Sequence, residues 1–313
     1  MRAFVLSDLQ TPPGLADVPA PRPGDAEVLV RVTASSVNPH DALVASGAAA
    51  RYMAYEFPVV LGSDLAGTVE AVGSGVDDLA PDDRVFGLLR ERVAARGSFA
   101  ELVAVPREWV ARTPEDLDDA AAGALGLAGL TALRCIEAVE PTEGEVVLVN
   151  GATGGVGNFV VQLLAARGAV PVATARPGQE AGHVRGLGAV DVLDWSTGEL
   201  AAQVRAQHPD GVAAVVDLVN RDKAAFTALA TAVLRPGGRV ACTGHAADPD
   251  RLPGVRAVNV LAEADRSALE AIAELAGSGA LRSPITLAFA FHQIGEAFAA
   301  LRAGAIGKIA VHP

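Results

Sequence analysis

The sequence predicts an α/β protein in which a β-rich domain accompanies a doubly wound parallel sheet, and three observations predict it. First, 313 residues exceed what one ordinary hydrophobic core can organise, so two domains are expected. Second, residues 1–117 alternate short apolar runs with Gly and Pro turns and show little helical periodicity. Third, from about Pro114 onward the pattern becomes strand, helix, strand, helix, which implies parallel strands joined by crossovers.

In the first part, residues 26–32, 67–72 and 84–87 read as strands, punctuated by turn clusters at 19–24, 73–75 and 81–83. Residues 115–129 and 131–139 are Ala-rich and read as helices. The stretch around which the chain is organised follows. Residues 145–150 are a β-branched run with the composition of a buried strand, leading into Gly151-Ala152-Thr153-Gly154-Gly155-Val156-Gly157. Val156, Phe159, Val160, Leu163 and Leu164 then recur at helical spacing, Gly168 ends the helix, and residues 170–175 form a second strand. This is a βαβ unit. One glycine permits the tight turn, one lets backbone approach a pyrophosphate, and one lets helix and strand pack closely. The unpaired N–H groups of the first helical turn, reinforced by the helix dipole, hold the anion.

Further strands are expected at 191–194, 212–218 and 239–243, with helices at 199–207 and 223–234. Ligands of such sheets sit at the carboxyl ends of the strands, which sets Asn150, Arg176, Asn220 and Thr243 along one rim. The second strand ends in Thr174, Ala175 and Arg176, where an NAD site would carry an acid for the ribose hydroxyls, and no carboxylate is read there. A guanidinium pairs with a 2′-phosphate, so NADPH is the favoured dinucleotide; the alternative is that Arg176 is a solvated loop residue. After Asp265 a helix reaches Ala276, residues 285–289 read as a strand, 294–303 as a helix and 307–311 as a closing strand.

Composition removes other classes. A net charge of −12 argues against a nucleic-acid partner, which requires a basic surface. No stretch offers about twenty uncharged apolar residues for a membrane span, and the first ten residues, with Asp8, do not resemble a signal peptide. The expected location is the cytoplasm. Cys135 and Cys242 sit in apolar surroundings and read as reduced core residues.

Six segments in register resemble the zinc-free branch of the medium-chain dehydrogenase/reductase superfamily, the quinone oxidoreductase or zeta-crystallin-like proteins. They are Ser35-Ser36-Val37-Asn38-Pro39-His40-Asp41, Leu61-Gly62-Ser63-Asp64-Leu65-Ala66-Gly67-Thr68-Val69, Gly129-Leu130-Thr131-Ala132, the glycine turn, Leu234-Arg235-Pro236-Gly237-Gly238 and Gly307-Lys308. The resemblance implies a GroES-like catalytic domain from residues 1–117 and 262–313, with a Rossmann NADP-binding domain, 118–261, inserted between. It also implies reduction of a quinone or an α,β-unsaturated carbonyl by NADPH. Where zinc-bearing relatives need Cys and His, this chain has Asn38 and Ser63, and no cysteine precedes Cys135, so no metal is expected.

By the same resemblance Asn38, His40 and Asp41 are the catalytic candidates. Asn38 can donate to a developing oxyanion or to the nicotinamide ribose, or can simply form a turn before Pro39. Asp41 can equally serve as a helix cap. His40 can act as a proton donor near neutral pH or be structural. The family's tyrosine two residues after the aspartate is Leu43 here; Tyr52 and Tyr55 can replace it or pack at the rim. Thr131 falls near the nicotinamide and Trp195 near the adenosine phosphate, Asn220 can reach the ribose, and Thr243 is a cofactor-binding candidate on the same rim. A strand around 255–261 is expected at the sheet edge, where a homodimer would cover it. Two other functions stay open: an enoyl reductase acting on a carrier-bound or biosynthetic intermediate, and a non-catalytic NADPH-binding sensor or structural protein.

Overall fold

A computed structural model describes residues 1–313. The chain forms two compact units, Met1–Leu130 with Glu263–Pro313, and Thr131–Ala262. The first break falls thirteen residues later than the sequence pattern places it. Residues 118–130 stay with the first unit because Arg84 grips Asp119 at 2.6 Å and Ser283 donates to the Ala121 carbonyl at 2.8 Å. The helix Gly126–Val139 begins in the first unit and continues into the second.

In the first unit the long strand Glu27–Ser36 is central. It pairs antiparallel with Asp64–Val72, with Leu102–Pro106 and with Lys308–His312, the last of which runs parallel to Ile285–Ala290. The strand alternates as a half-buried strand should. Val28, Val30 and Val32 enter the core, whereas Arg31 points outward to Glu70 at 2.8 Å. The core is closed by Phe4, Phe99, Phe291 and Phe298, whose rings lie 6.2–6.5 Å apart. Phe99 is fully buried, so each chain segment contributes anchors worth about 1.5–3 kcal/mol per side chain.

The second unit is a six-stranded parallel sheet in the order Asp191–Leu193, Val170–Thr174, Val146–Asn150, Val212–Asp217, Leu234–Cys242, Arg256–Asn259. All six residues of Val212–Asp217 are buried, which explains its unbroken apolar reading. Strand order reverses between Val146–Asn150 and Val212–Asp217, the switch point at which such sheets bind ligands. Arg256–Asn259 is an edge strand, as the family resemblance implies. No helix is long and apolar enough to cross a membrane.

One ionic cluster fastens the returning chain to the first unit. Asp78 takes Arg107 bidentately at 2.8 and 2.7 Å and Arg266 at 2.6 Å. Arg107 is only 8% exposed, and its hydrogen bonds are the main reason the Asp78 carboxyl falls to about 2. A lowered carboxylate stabilises the fold above its unfolded pKa, about 3.9, and that contribution is lost as pH falls through the folded value. Asp78→Asn should therefore lower stability at pH 7 by about 1 kcal/mol, modest because the aspartate is partly solvated. Urea midpoints of variant and wild type should converge as pH drops towards 2.

Candidate active site

The rim of the second unit carries the glycine turn. The strand Val146–Asn150 ends at Asn150, Gly151 adopts φ 89°, and the helix Gly155–Ala166 starts behind an N-cap, Gly154, with no side-chain cap. A Cβ on Gly154 would meet only the Gly151 carbonyl oxygen, at 3.6 Å, so the space over the helix N-terminus is open. At Gly157 a Cβ would collide with the Gly151 carbonyl and the Ala152 backbone, so this glycine exists for close packing. Ala152 is buried, while Thr153, Gly154, Gly155 and Val156 remain partly accessible. Asn158 braces the turn by donating to the Ala152 carbonyl at 2.7 Å, and Thr174 Oγ accepts the Gly151 N–H at 2.9 Å. An open helix N-terminus without a side-chain cap fits a dinucleotide pyrophosphate.

Behind this turn sits a hub invisible in the sequence motif. Asp217, fully buried, accepts Asn150 Nδ2 at 2.9 Å, the Val219 and Asn220 N–H groups at 3.0 and 2.7 Å, and Asn220 Nδ2 at 2.6 Å. Asn220 therefore braces its own loop with the amide expected to reach a ribose. Thr243 lies alongside, its N–H donating to the Asp217 carbonyl at 3.0 Å.

The end of the second strand corrects the expectation that no carboxylate is present. Glu180, in the first turn of Gln179–Gly186, folds back on Arg176 and accepts its backbone N–H at 2.7 Å and its guanidinium at 2.7 and 2.6 Å. A helix turn brings residue i+4 back to residue i, which linear distance from the glycines does not reveal. Arg176 also lies over Trp195, with 5.6 Å between guanidinium carbon and ring centre. Despite partial burial, the arginine and the indole hold the Glu180 carboxyl below its usual range.

The first unit builds a second polar cluster from the two motifs at 35–41 and 61–69. Asn38 caps the helix Pro39–Ala45, and the Asp41 carboxylate accepts its backbone N–H at 2.8 Å. Asp41 Oδ1 takes the Ser63 hydroxyl at 2.6 Å. Burial is the main reason the Asp41 carboxyl rises to about 7, with the charge of Asp64 adding to it. Below lies Asp64, fully buried, which accepts Ser36 Oγ at 2.5 Å, Asn38 Nδ2 at 2.9 Å, Lys308 Nζ at 3.2 Å and the Leu127 N–H at 2.6 Å. Lys308 also donates to Asn38 Oδ1 at 2.8 Å.

The cluster changes the roles read from the motif. Asn38 is 3% exposed, and its two amide hydrogens face Asp64 and the Ser36 carbonyl, so in this arrangement neither is turned to a ligand. His40 is held neutral at pH 7, its pKa down at about 4 through burial and the charge of Arg90, so it offers no imidazolium near neutrality. Tyr55 donates to the Val44 carbonyl at 2.9 Å, and Tyr52 is exposed. Thr131 is buried on the Gly126–Val139 helix. Ser63, Asp64, Lys308, Glu180 and Asp217 escaped the sequence reading as site members. Only the motif position of Ser63-Asp64 and Gly307-Lys308 signalled the first three. The donor set does not fit a thiolate–imidazole zinc centre. It offers an amide, a hydroxyl and carboxylates facing an ammonium, while both cysteines are buried in the second unit.

Residues 24–115 match the family model described as alcohol dehydrogenase GroES-like domain, and residues 187–311 the one described as zinc-binding dehydrogenase. The chain is 31% identical to the NADPH-dependent alkenal/one oxidoreductase of Arabidopsis thaliana chloroplasts, over all of this chain and 80% of that protein. It is 32% identical to a 2-haloacrylate reductase from a Burkholderia species, over 74% of this chain and 69% of the relative. A crystal structure described as an NAD-dependent alcohol dehydrogenase superposes with TM-score 0.89 at 26% identity, covering the whole of both chains.

The Asp64–Lys308 contact lends itself to a double-mutant cycle. Lys308→Met leaves a buried carboxylate without its counter-charge and should cost about 3–5 kcal/mol in urea unfolding. Adding Asp64→Asn should recover a large part of that loss; strictly additive effects would show that the two groups are not coupled.

Proposed function

Because the chain belongs to the medium-chain dehydrogenase/reductase superfamily, we propose that it is an NADPH-dependent, zinc-independent oxidoreductase that reduces a quinone or an α,β-unsaturated carbonyl. The observation that carries this reading is the open, uncapped helix N-terminus at Gly154–Gly157 beside a guanidinium, Arg176, at the end of the second strand. The backbone N–H groups of Gly155, Val156 and Gly157 hold the pyrophosphate, with Ala152 and Thr153 shaping the turn. Thr174 and Asn150 brace it, while Arg176, stacked on Trp195, meets the 2′-phosphate. Thr131, Asn220 and Thr243 line the nicotinamide and ribose end.

When bound, the cofactor supplies a hydride equivalent to an electrophilic conjugated acceptor, and a proton from water completes the reduction. No Lewis acid is required for an acceptor already polarised by conjugation. The relatives' names agree with this class, since an alkenal, an enone and a haloacrylate all carry an activated double bond. Asn38 and His40 then act as positioning groups rather than proton donors, because the Asn38 amide is turned inward and the His40 imidazolium is suppressed; Asp41, its oxygens held by the Asn38 N–H and the Ser63 hydroxyl, fixes the turn that carries them. The edge strand Arg256–Asn259 favours a homodimer, and a cytoplasmic location completes the proposed reading.

Glu180 favours a narrower cofactor preference than an unassisted arginine would give, because its carboxylate neutralises Arg176 and repels a phosphate. Stopped assays with NADPH or NADH and a panel of enones and ortho-quinones test the reading. NADPH should be oxidised with at least one acceptor class; turnover restricted to thioesters would assign a carrier-linked enoyl reductase instead. Normal NADPH binding with no turnover on any acceptor would mark a sensor. Glu180→Gln should raise the NADPH-over-NADH ratio of kcat/KM about tenfold, and Arg176→Ala should lower it at least as much. Light scattering should give twice the chain mass if the edge strand pairs.

A further inference from the structure

Arg90 lies between the strands Arg84–Leu88 and Val93–Ala94, in a segment whose backbone is fixed on both sides. The Leu89 N–H donates to the Ser63 carbonyl at 2.7 Å, next to the hydroxyl that holds Asp41. Glu91 is paired with Arg96 at 2.5 Å, and Val93–Ala94 runs parallel to Ala54–Tyr55. Arg90 is thereby held beside the His40–Asp41 turn, close enough for its charge to act on His40.

The side chain is half-buried yet makes no hydrogen bond or ion pair. Every other arginine that is not exposed has one: Arg84, Arg107, Arg134, Arg205, Arg239 and Arg266 each reach a carboxylate or a carbonyl. None of the Arg90 nitrogens is among the sealed, unpartnered polar atoms, so its N–H groups stay open to a ligand. The acids whose charge reaches it do not close on it. Asp41 is buried with both oxygens occupied by Asn38 and Ser63, and Glu263 stays exposed and unpaired. A positioned guanidinium that gives up hydration without gaining a partner is an unfilled half of a bidentate pair.

We propose that Arg90 is a carboxylate-binding residue, so that the preferred acceptors are conjugated acids whose anionic end pairs with its guanidinium. This rests on the enone-reductase reading and narrows it, from conjugated carbonyl compounds in general to those bearing a negative charge.

The test compares trans-4-oxo-2-pentenoate with its methyl ester, two acceptors of one conjugated skeleton that differ in charge, under saturating NADPH. Wild type should prefer the acid. Arg90→Gln should raise KM for the acid roughly 10- to 100-fold and leave the ester within about twofold, and Arg90→Lys should recover part of the loss. Calorimetry with levulinate, a saturated keto acid that cannot accept hydride, gives a readout independent of turnover: wild type should bind it and Arg90→Gln should not. Equal loss for acid and ester, or equal levulinate binding by both proteins, overturns the proposal. A rise in KM for NADPH with either acceptor also overturns it, by assigning Arg90 to the cofactor. If wild type reduces neither acceptor while levulinate binds only when Arg90 is present, the reductase reading fails and the carboxylate site stands.

Discussion

The contact between Asp64 and Lys308 is the constraint on which the first unit depends. Two charges removed from water are tolerable only when further hydrogen bonds fill the remaining lone pairs and protons. Here Ser36, Asn38 and the Leu127 N–H complete Asp64, and Asn38 Oδ1 completes Lys308. Three separate stretches of chain, around residues 36–38, 127 and 308, are thus locked to one carboxylate. The orientation of Asn38 follows from it, the helix at Pro39 starts where Asn38 is held, and Asp41 and Ser63 meet because that helix starts there.

The second unit uses the same device with a different outcome. Asp217, also fully buried, gathers Asn150, Val219 and Asn220 from two adjacent strand ends. It meets no cation, only N–H donors. Its effect is to stiffen the loops that frame the helix N-terminus, leaving the backbone N–H groups of the glycine turn pointed at open space. Each unit therefore holds a fully buried carboxylate at the centre of a hydrogen-bonded cluster, and in the second unit that cluster lies behind the partly accessible glycine turn. Preorganisation of this kind lets a site bind an anion without reordering itself at the moment of binding.

Much of this was legible in the amino-acid order. The βαβ unit around residue 150 follows from local periodicity and turn chemistry, which act over a few residues, whereas the edge position of the strand near residues 256–259 was implied by the family resemblance. The motif positions of Asn38 and Asp41 were also visible. Their duties were not, since these depend on partners 26 and 270 residues away, which no spacing rule anticipates. Glu180 was missed for the opposite reason. It lies close in sequence, but the acid of an NAD site belongs at the end of the strand itself, whereas here a helical turn supplies it. Arg90 carries no motif, and only the lack of a partner sets it apart.

The chain leaves the first unit near Leu130 and returns at Glu263, and the ammonium that neutralises Asp64 arrives only at position 308. During translation the whole of the inserted unit has emerged before that counter-charge exists. The nascent first unit meanwhile carries a carboxylate that cannot be buried at acceptable free energy. Maturation order is built into the topology: the nucleotide-type sheet can fold on its own schedule, while the earlier-made strands wait, incomplete, for the last one.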